Sequence, residues 1–126
     1  MAGPYTLVPG TPIKLLDALT TGTGGILEMQ GKVHNVTIAV QGSGVITTGA
    51  LSIEEAYYDN LPPTGLESHG IPYAGTWSVI QTVTGSQISS GAQQIVHVQG
   101  SVWSLRVRIS TAIAGGGSLT AWAYGN

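Results

Sequence analysis

The sequence predicts an all-β protein: a single β-sandwich or jelly-roll domain of about eight antiparallel strands with an extended N-terminal arm. Three observations carry this. Apolar residues recur with period two along most of the 126 residues, which is the side-chain period of a strand with one buried face. Glycine-rich turns separate the alternating runs. Helical spacing is confined to two stretches of about one turn each, too short to hold a helix alone.

The arm spans residues 1–12 and carries Pro4, Pro9 and Pro12. Proline at that density disfavours a central strand and favours an extended or edge path. Tyr5-Thr6-Leu7-Val8 is suited to adding a strand to an exposed sheet edge, so Tyr5, Leu7 and Val8 are candidate partner contacts. The sandwich then runs over 13–126. Short strands are expected at Thr6–Val8, Ile13–Leu15 and Ile26–Met29. Lys14–Leu19 is alternatively one helical turn. Val36, Ile38 and Val40 share one strand face, and Thr37, Ala39 and Gln41 the other. Leu51 and Ile53 alternate with Ser52 and Glu54, with Ile53–Tyr58 the second helical alternative.

A long connection from Tyr57 to Gly75 carries Pro62, Pro63 and Pro72. Loops of that length in compact domains are usually functional or disordered. Its Tyr57, Tyr58, Leu61, Leu66, Ile71 and Tyr73 are apolar enough to pack on the chain's own sheet or on a partner. Trp77, Val79 and Gln81 form the next half-buried set. Turns follow at Thr84-Gly85-Ser86 and Ser90-Gly91. Ile95 and His97 alternate with Val96 and Val98. Leu105, Val107 and Ile109 alternate with Arg106 and Arg108. After a hairpin turn at Gly115–Gly117, Leu119, Ala121 and Ala123 oppose Thr120, Trp122 and Tyr124. No repeat and no linker divides the chain.

Charge narrows the function classes. Charged residues are 8% of the chain, against about 25% in typical soluble domains. The four basic residues neutralise too few phosphates for a nucleic-acid surface, and no basic cluster serves an anionic membrane. No leader pattern opens the sequence. Cysteine is absent, which removes disulfides, thiolate metal sites and a cysteine nucleophile. So uncharged an exterior implies that much of it faces protein, since solubility usually rests on charge.

Catalytic constellations do not converge, and the chain is expected to be no enzyme, with no cofactor and no metal. Ser68 beside His69 is an adjacency and sets up no triad. Glu54 and Glu55 point to opposite strand faces and make no acid–base pair. Glu55 shares a side with Leu51, Ile53 and Tyr57. It is either partly buried with a raised pKa or, the favoured reading, in solvent at the strand end. Glu54, Asp59, Glu67 and His69 have ligand chemistry for a hard cation but no fixed spacing. His34, His69 and His97 lie far apart, and His97 reads as a hydrogen-bonded sheet residue. Gly115–Ser118 precedes a strand and lacks a following lysine, so it is no phosphate loop. Arg106 and Arg108 share a strand face roughly 7 Å apart, placed to grip carboxylates of a neighbouring subunit or to form a solvated face. The tryptophans have the chemistry of a sugar platform. Core is favoured for Trp77, and core edge or interface for Trp103 and Trp122.

Leu15-Leu16-Asp17-Ala18-Leu19-Thr20-Thr21-Gly22-Thr23-Gly24 is followed by Val36-Thr37-Ile38-Ala39-Val40-Gln41-Gly42-Ser43-Gly44. Thr48–Ala56, Gly75-Thr76-Trp77 and Val102-Trp103-Ser104-Leu105-Arg106-Val107-Arg108-Ile109-Ser110 come next. This order resembles small β-sandwich virion proteins of tailed bacteriophages, in particular capsid decoration (cement) proteins, over about residues 13–124. Such domains commonly place a short Glu-Gly-Ser-x-Asp-Gly hairpin before the Thr-Trp pair. Here Glu55-Ala56-Tyr57-Tyr58-Asp59-Asn60 leads into the proline-rich insertion instead. The resemblance implies a structural role on the outer surface of the virion capsid. The partners would be the major capsid protein and the chain itself, as a homotrimer. The alternative is a receptor- or carbohydrate-binding module of a phage tail or fibre, served by the Tyr57–Gly75 insertion.

Overall fold

The structure, a computed structural model, describes residues 5–6, 10–28, 35–56, 77–99 and 104–125. Its strands are β1 Tyr5–Thr6, β2 Ile13–Leu19, β3 Gly22–Thr23, β4 Leu27–Glu28, β5 Asn35–Ser43 and β6 Thr48–Ala56. They continue with β7 Ser78–Thr84, β8 Gln93–Gln99, β9 Ser104–Ala114 and β10 Ser118–Gly125. One helical turn, α1 (Gly85–Ile88), and a 3-10 turn at Ser89–Gly91 join β7 to β8.

The antiparallel pairs are nested. β6 pairs with β7, β5 with β8, β3 and β4 with β9, and β2 with β10. The chain is thus a ribbon doubled back on itself at β6–β7. It is then wound so that β5 meets β10 and β6 meets β9. The result is two sheets, β2-β10-β5-β8 and β4-β9-β6-β7, with β3 also on β9. This is the winding of a jelly roll. If β3 and β4 count as one interrupted strand and β1 is set aside, eight antiparallel strands remain, as the alternation predicted. β1 lies parallel to β4, Tyr5 opposite Leu27. The arm's Tyr5–Thr6 therefore adds a strand to the chain's own sheet.

The core fills the space between the sheets with the β-branched and leucine residues of the alternating runs. Ile38 and Val40 of β5 and Leu51 and Ile53 of β6 are inaccessible to solvent, as are Val107 of β9 and Ala121 of β10. Each large aliphatic side chain so buried contributes about 1.5–3 kcal/mol. In β2, Lys14 pairs with Trp122 and Leu16 with Ala121. Leu15 is the extra residue of a bulge, and both leucines are buried.

Several expectations change. Lys14–Leu19 is strand throughout, and Ile53 continues as strand to Ala56; sheet pairing, on one flank for β2 and on both for β6, outweighs a single helical turn. The expected turn at Gly85 is helical instead. It presses on β5, where Ile88 is fully buried and a Cβ at Gly42 would run into the Ile88 carbonyl. The Ile46 amide donates to Ser89 Oγ at 2.9 Å, and the Ser90 amide to the Gly44 carbonyl at 2.8 Å. Val79 and Gln81 are exposed: the extra residue Ile80 turns Val79 to the outer face, opposite Glu54, Gln81 lies on an edge strand, and only Val83 of β7 is buried. Trp77 is half-buried and lies over Arg106, outside the core.

Candidate functional site

The outer face of the β4-β9-β6-β7 sheet carries a compact ionic cluster. Register sets Glu54 opposite Arg106 and Ser52 opposite Arg108, so the period of two brings all four to one face. Arg106 Nε donates to Glu54 Oε1 at 2.6 Å. Arg108 donates to Oε2 through Nε at 3.2 Å and Nη2 at 3.0 Å. Ser52 Oγ donates to the same oxygen at 2.9 Å. Arg106 in turn lies 4.4 Å from the Trp77 ring centroid, a cation–π contact.

Glu54 is thereby 2% exposed. Burial pushes its carboxyl pKa up. The hydrogen bonds from Arg108, Arg106 and Ser52, with the charge of Arg106, outweigh burial and hold it below its ordinary value. A carboxylate so saturated is a poor proton acceptor. Its oxygens are taken by guanidinium groups and the Ser52 hydroxyl, so Glu54 has no oxygen free for a cation. Of the two neighbours, Glu54 is the buried one; Glu55, on the opposite strand face, is half-buried.

The outer face of the β2-β10-β5-β8 sheet is built differently. Lys14, Trp122, Ala39 and Ile95 form one row across its four strands. Lys14 Nζ lies 4.8 Å from the Trp122 ring centroid and 3.5 Å from the Asp17 carboxylate. Beside this row opens a groove of about 750 Å³, lined by Lys14, Asp17, Gln41–Val45, Ser90, Gly91, Thr120 and Trp122. The Ala18 amide donates to Thr120 Oγ1 at 3.1 Å, fixing the bulged end of β2 to β10. One row further along, Thr37 Oγ1 and His97 Nδ1 are 3.1 Å apart, the sheet hydrogen bond expected of His97.

β7 and β8 are the edges of their sheets on the same side of the sandwich. A cleft of about 270 Å³ lies between them, lined by Glu55, Ile80, Gln81, Val96–Gln99. Val79 is 55%, Ile80 37% and Ile95 54% exposed. Ile80 is the unpaired residue where the β6–β7 register shifts between Ile53 and Glu54.

Of the predicted contact residues, Arg106 and Arg108 come together, and the carboxylate they grip is their own chain's Glu54. Tyr5 is placed by backbone pairing alone. Leu7, Val8, Tyr57, Tyr58, Leu61, Leu66, Ile71 and Tyr73 lie outside the described residues, as do Asp59, Glu67, His34, His69 and Trp103. Trp122 is half-buried at a sheet face. Sequence reading missed Glu54 as the arginines' partner, though Ser52 and Glu54 share their alternation. It missed the groove because Asp17, Gln41 and Ser90 meet only through strand order. Among the described residues no group of three or more His, Cys, Asp or Glu is placed to hold a metal. No family model matches the chain, nor does any curated protein or solved structure.

Proposed function

We propose that this chain is a structural virion protein, a capsid decoration (cement) protein. It binds the outer shell, clamps neighbouring major capsid subunits and associates with its own copies as a homotrimer. The observation that carries this reading is the uncharged double edge of β7 and β8. From Ser78 to Gln99 the chain contains no Asp, Glu, Lys or Arg, while Val79, Ile80 and Ile95 stand exposed. Natural sheet edges are commonly guarded by charge or proline, because an open edge is a template for another chain. Glu55 of β6 lines the cleft behind these strands, but edge strands that are themselves apolar and uncharged suit a surface that protein covers.

The rest of the exterior agrees with this. Six charged side chains are described: Lys14, Asp17, Glu54, Glu55, Arg106 and Arg108. All but Glu55 are paired with one another, which leaves little net field to repel a neighbour. A clamp that binds only the assembled shell stabilises it by mass action, and attachment to several subunits at once multiplies weak contacts. The sequence resemblance to phage decoration proteins points the same way.

The test is occupancy of expanded, empty phage shells by the full chain and by a Val79→Lys/Ile95→Lys double variant. Both positions are exposed, so the core is untouched, and an unchanged circular dichroism spectrum is expected of the variant. Wild type is expected to saturate the shell and raise its melting temperature. The variant should bind about ten-fold more weakly or worse. Equal occupancy by the two, or no binding by wild type, contradicts the reading.

A further inference from the structure

The geometry points to the groove beside Trp122 as a binding site for a neutral saccharide. This goes beyond shell attachment and does not rest on it, since none of the exposed edge residues Val79, Ile80 and Ile95 lines the groove. Its volume, about 750 Å³, falls within the range of small-molecule sites. Its lining is the complement of a pyranose. The Trp122 indole offers a flat apolar surface for the C–H face of a sugar ring. Around it stand a carboxylate (Asp17), an amide (Gln41) and the hydroxyls of Ser43, Ser90 and Thr120. Together they donate to and accept from a rim of hydroxyls.

Charge selects among ligands. Lys14 and Asp17, 3.5 Å apart, cancel, so the groove offers no excess cation for a phosphate and no excess anion for an amine. Its polar rim is wrong for a lipid. In this structure the Lys14 ammonium lies over the indole. Its ion pair is solvent-exposed, with Asp17 at 74%, and such pairs hold weakly. Lys14 swings aside as a ring stacks and then donates to a sugar hydroxyl.

Backbone strain gathers at the same place. Among the described residues only two non-glycines have positive φ: Ala18 at 53° and Ser90 at 61°. Ser90 lines the groove. Ala18 follows Asp17 and is held by the Thr120 hydroxyl, also in the lining. L residues rarely adopt this conformation, and it persists where surrounding structure imposes it, often at ligand sites. Both strained positions thus border the same groove, Ser90 in its lining and Ala18 next to Asp17.

The test titrates the 15N-labelled full chain with neutral hexasaccharides of glucose, mannose and galactose. Chemical shifts of the Trp122 indole N–H and of the Gln41–Gly44 and Ser90–Gly91 amides are followed. At least one sugar is expected to move these signals. Trp122→Ala and Asp17→Asn should each weaken its binding about ten-fold, with Trp122→Phe close to wild type. Asp17 is exposed, so Asp17→Asn keeps the test decisive if Trp122→Ala fails to fold. Three outcomes overturn the proposal: no shift in the groove with any of the three sugars, binding insensitive to both substitutions, or shell binding lost with Asp17→Asn, which would make the groove a capsid contact.

Discussion

The two outer sheet faces solve the same problem in opposite ways. On β6 and β9, polar side chains close on one another. Glu54 is saturated by Arg106, Arg108 and Ser52, and Trp77 lies over Arg106. On β2, β10 and β5, polar side chains line an open groove and mostly face outward. A closed face is a stability element, and its removal costs folding energy. An open face contributes little to folding and keeps its hydrogen-bonding capacity for a ligand. The edge strands β7 and β8 carry no charge of their own and leave Val79, Ile80 and Ile95 exposed, and attachment is proposed there.

The contrast can be broken from the inside. Ile53→Ala removes a fully buried side chain from the core both faces share. It is expected to cost about 3–4 kcal/mol in urea unfolding, with both faces lost in one transition. Separate transitions for Trp77 and Trp122 fluorescence would show that the faces fold independently. Glu54→Gln strikes the closed face alone. It leaves Arg106 and Arg108 without their carboxylate, and because both reach solvent the cost is about 2 kcal/mol, below that of breaking a fully buried pair. The groove signals should stay in place.

Acid sharpens the same point. The folded Glu54 carboxyl has a lowered pKa, while the unfolded chain keeps the ordinary value of about 4.3. Its stabilisation is therefore complete above the unfolded value and is lost as pH falls below it through the folded one. Wild type is expected to lose its advantage over Glu54→Gln across that acid range. A difference independent of pH would refute the ionic account. The smallest effect belongs to the open face: Asp17→Asn should change unfolding free energy by less than about 0.5 kcal/mol, although it is expected to weaken the proposed sugar binding. A larger stability loss would mean that the open face is also a folding element.

Much of the fold was legible in the sequence. Alternation gave the strands and their faces, Val36-Ile38-Val40 inward and Arg106-Arg108 outward, because a period of two is written in consecutive residues. Pairing is not so written. That Glu54 meets both arginines depends on β6 lying beside β9, some fifty residues away, and local periodicity does not encode it. The same holds for the groove, whose walls come from β2, β5, β10 and the Ser89–Gly91 turn. Trp77 was misplaced for a related reason: its alternation suggested a core position, but the extra residue at Ile80 puts Val79 opposite Glu54 on the outer face, where Trp77 meets Arg106, and the sequence does not mark that shift. Burial of Glu54 ran against its polarity, since the cation cover that makes burial possible comes from another strand.

The attachment claim has a direct probe, because the chain contains no cysteine. Val79→Cys and Ile95→Cys each introduce a single thiol at an exposed edge position. The rate of maleimide labelling is compared for free protein and for protein bound to shells. Fast labelling in the free chain and protection of at least one thiol on the shell is the predicted result. Equal rates at both positions in the two states would contradict the proposed attachment through this edge.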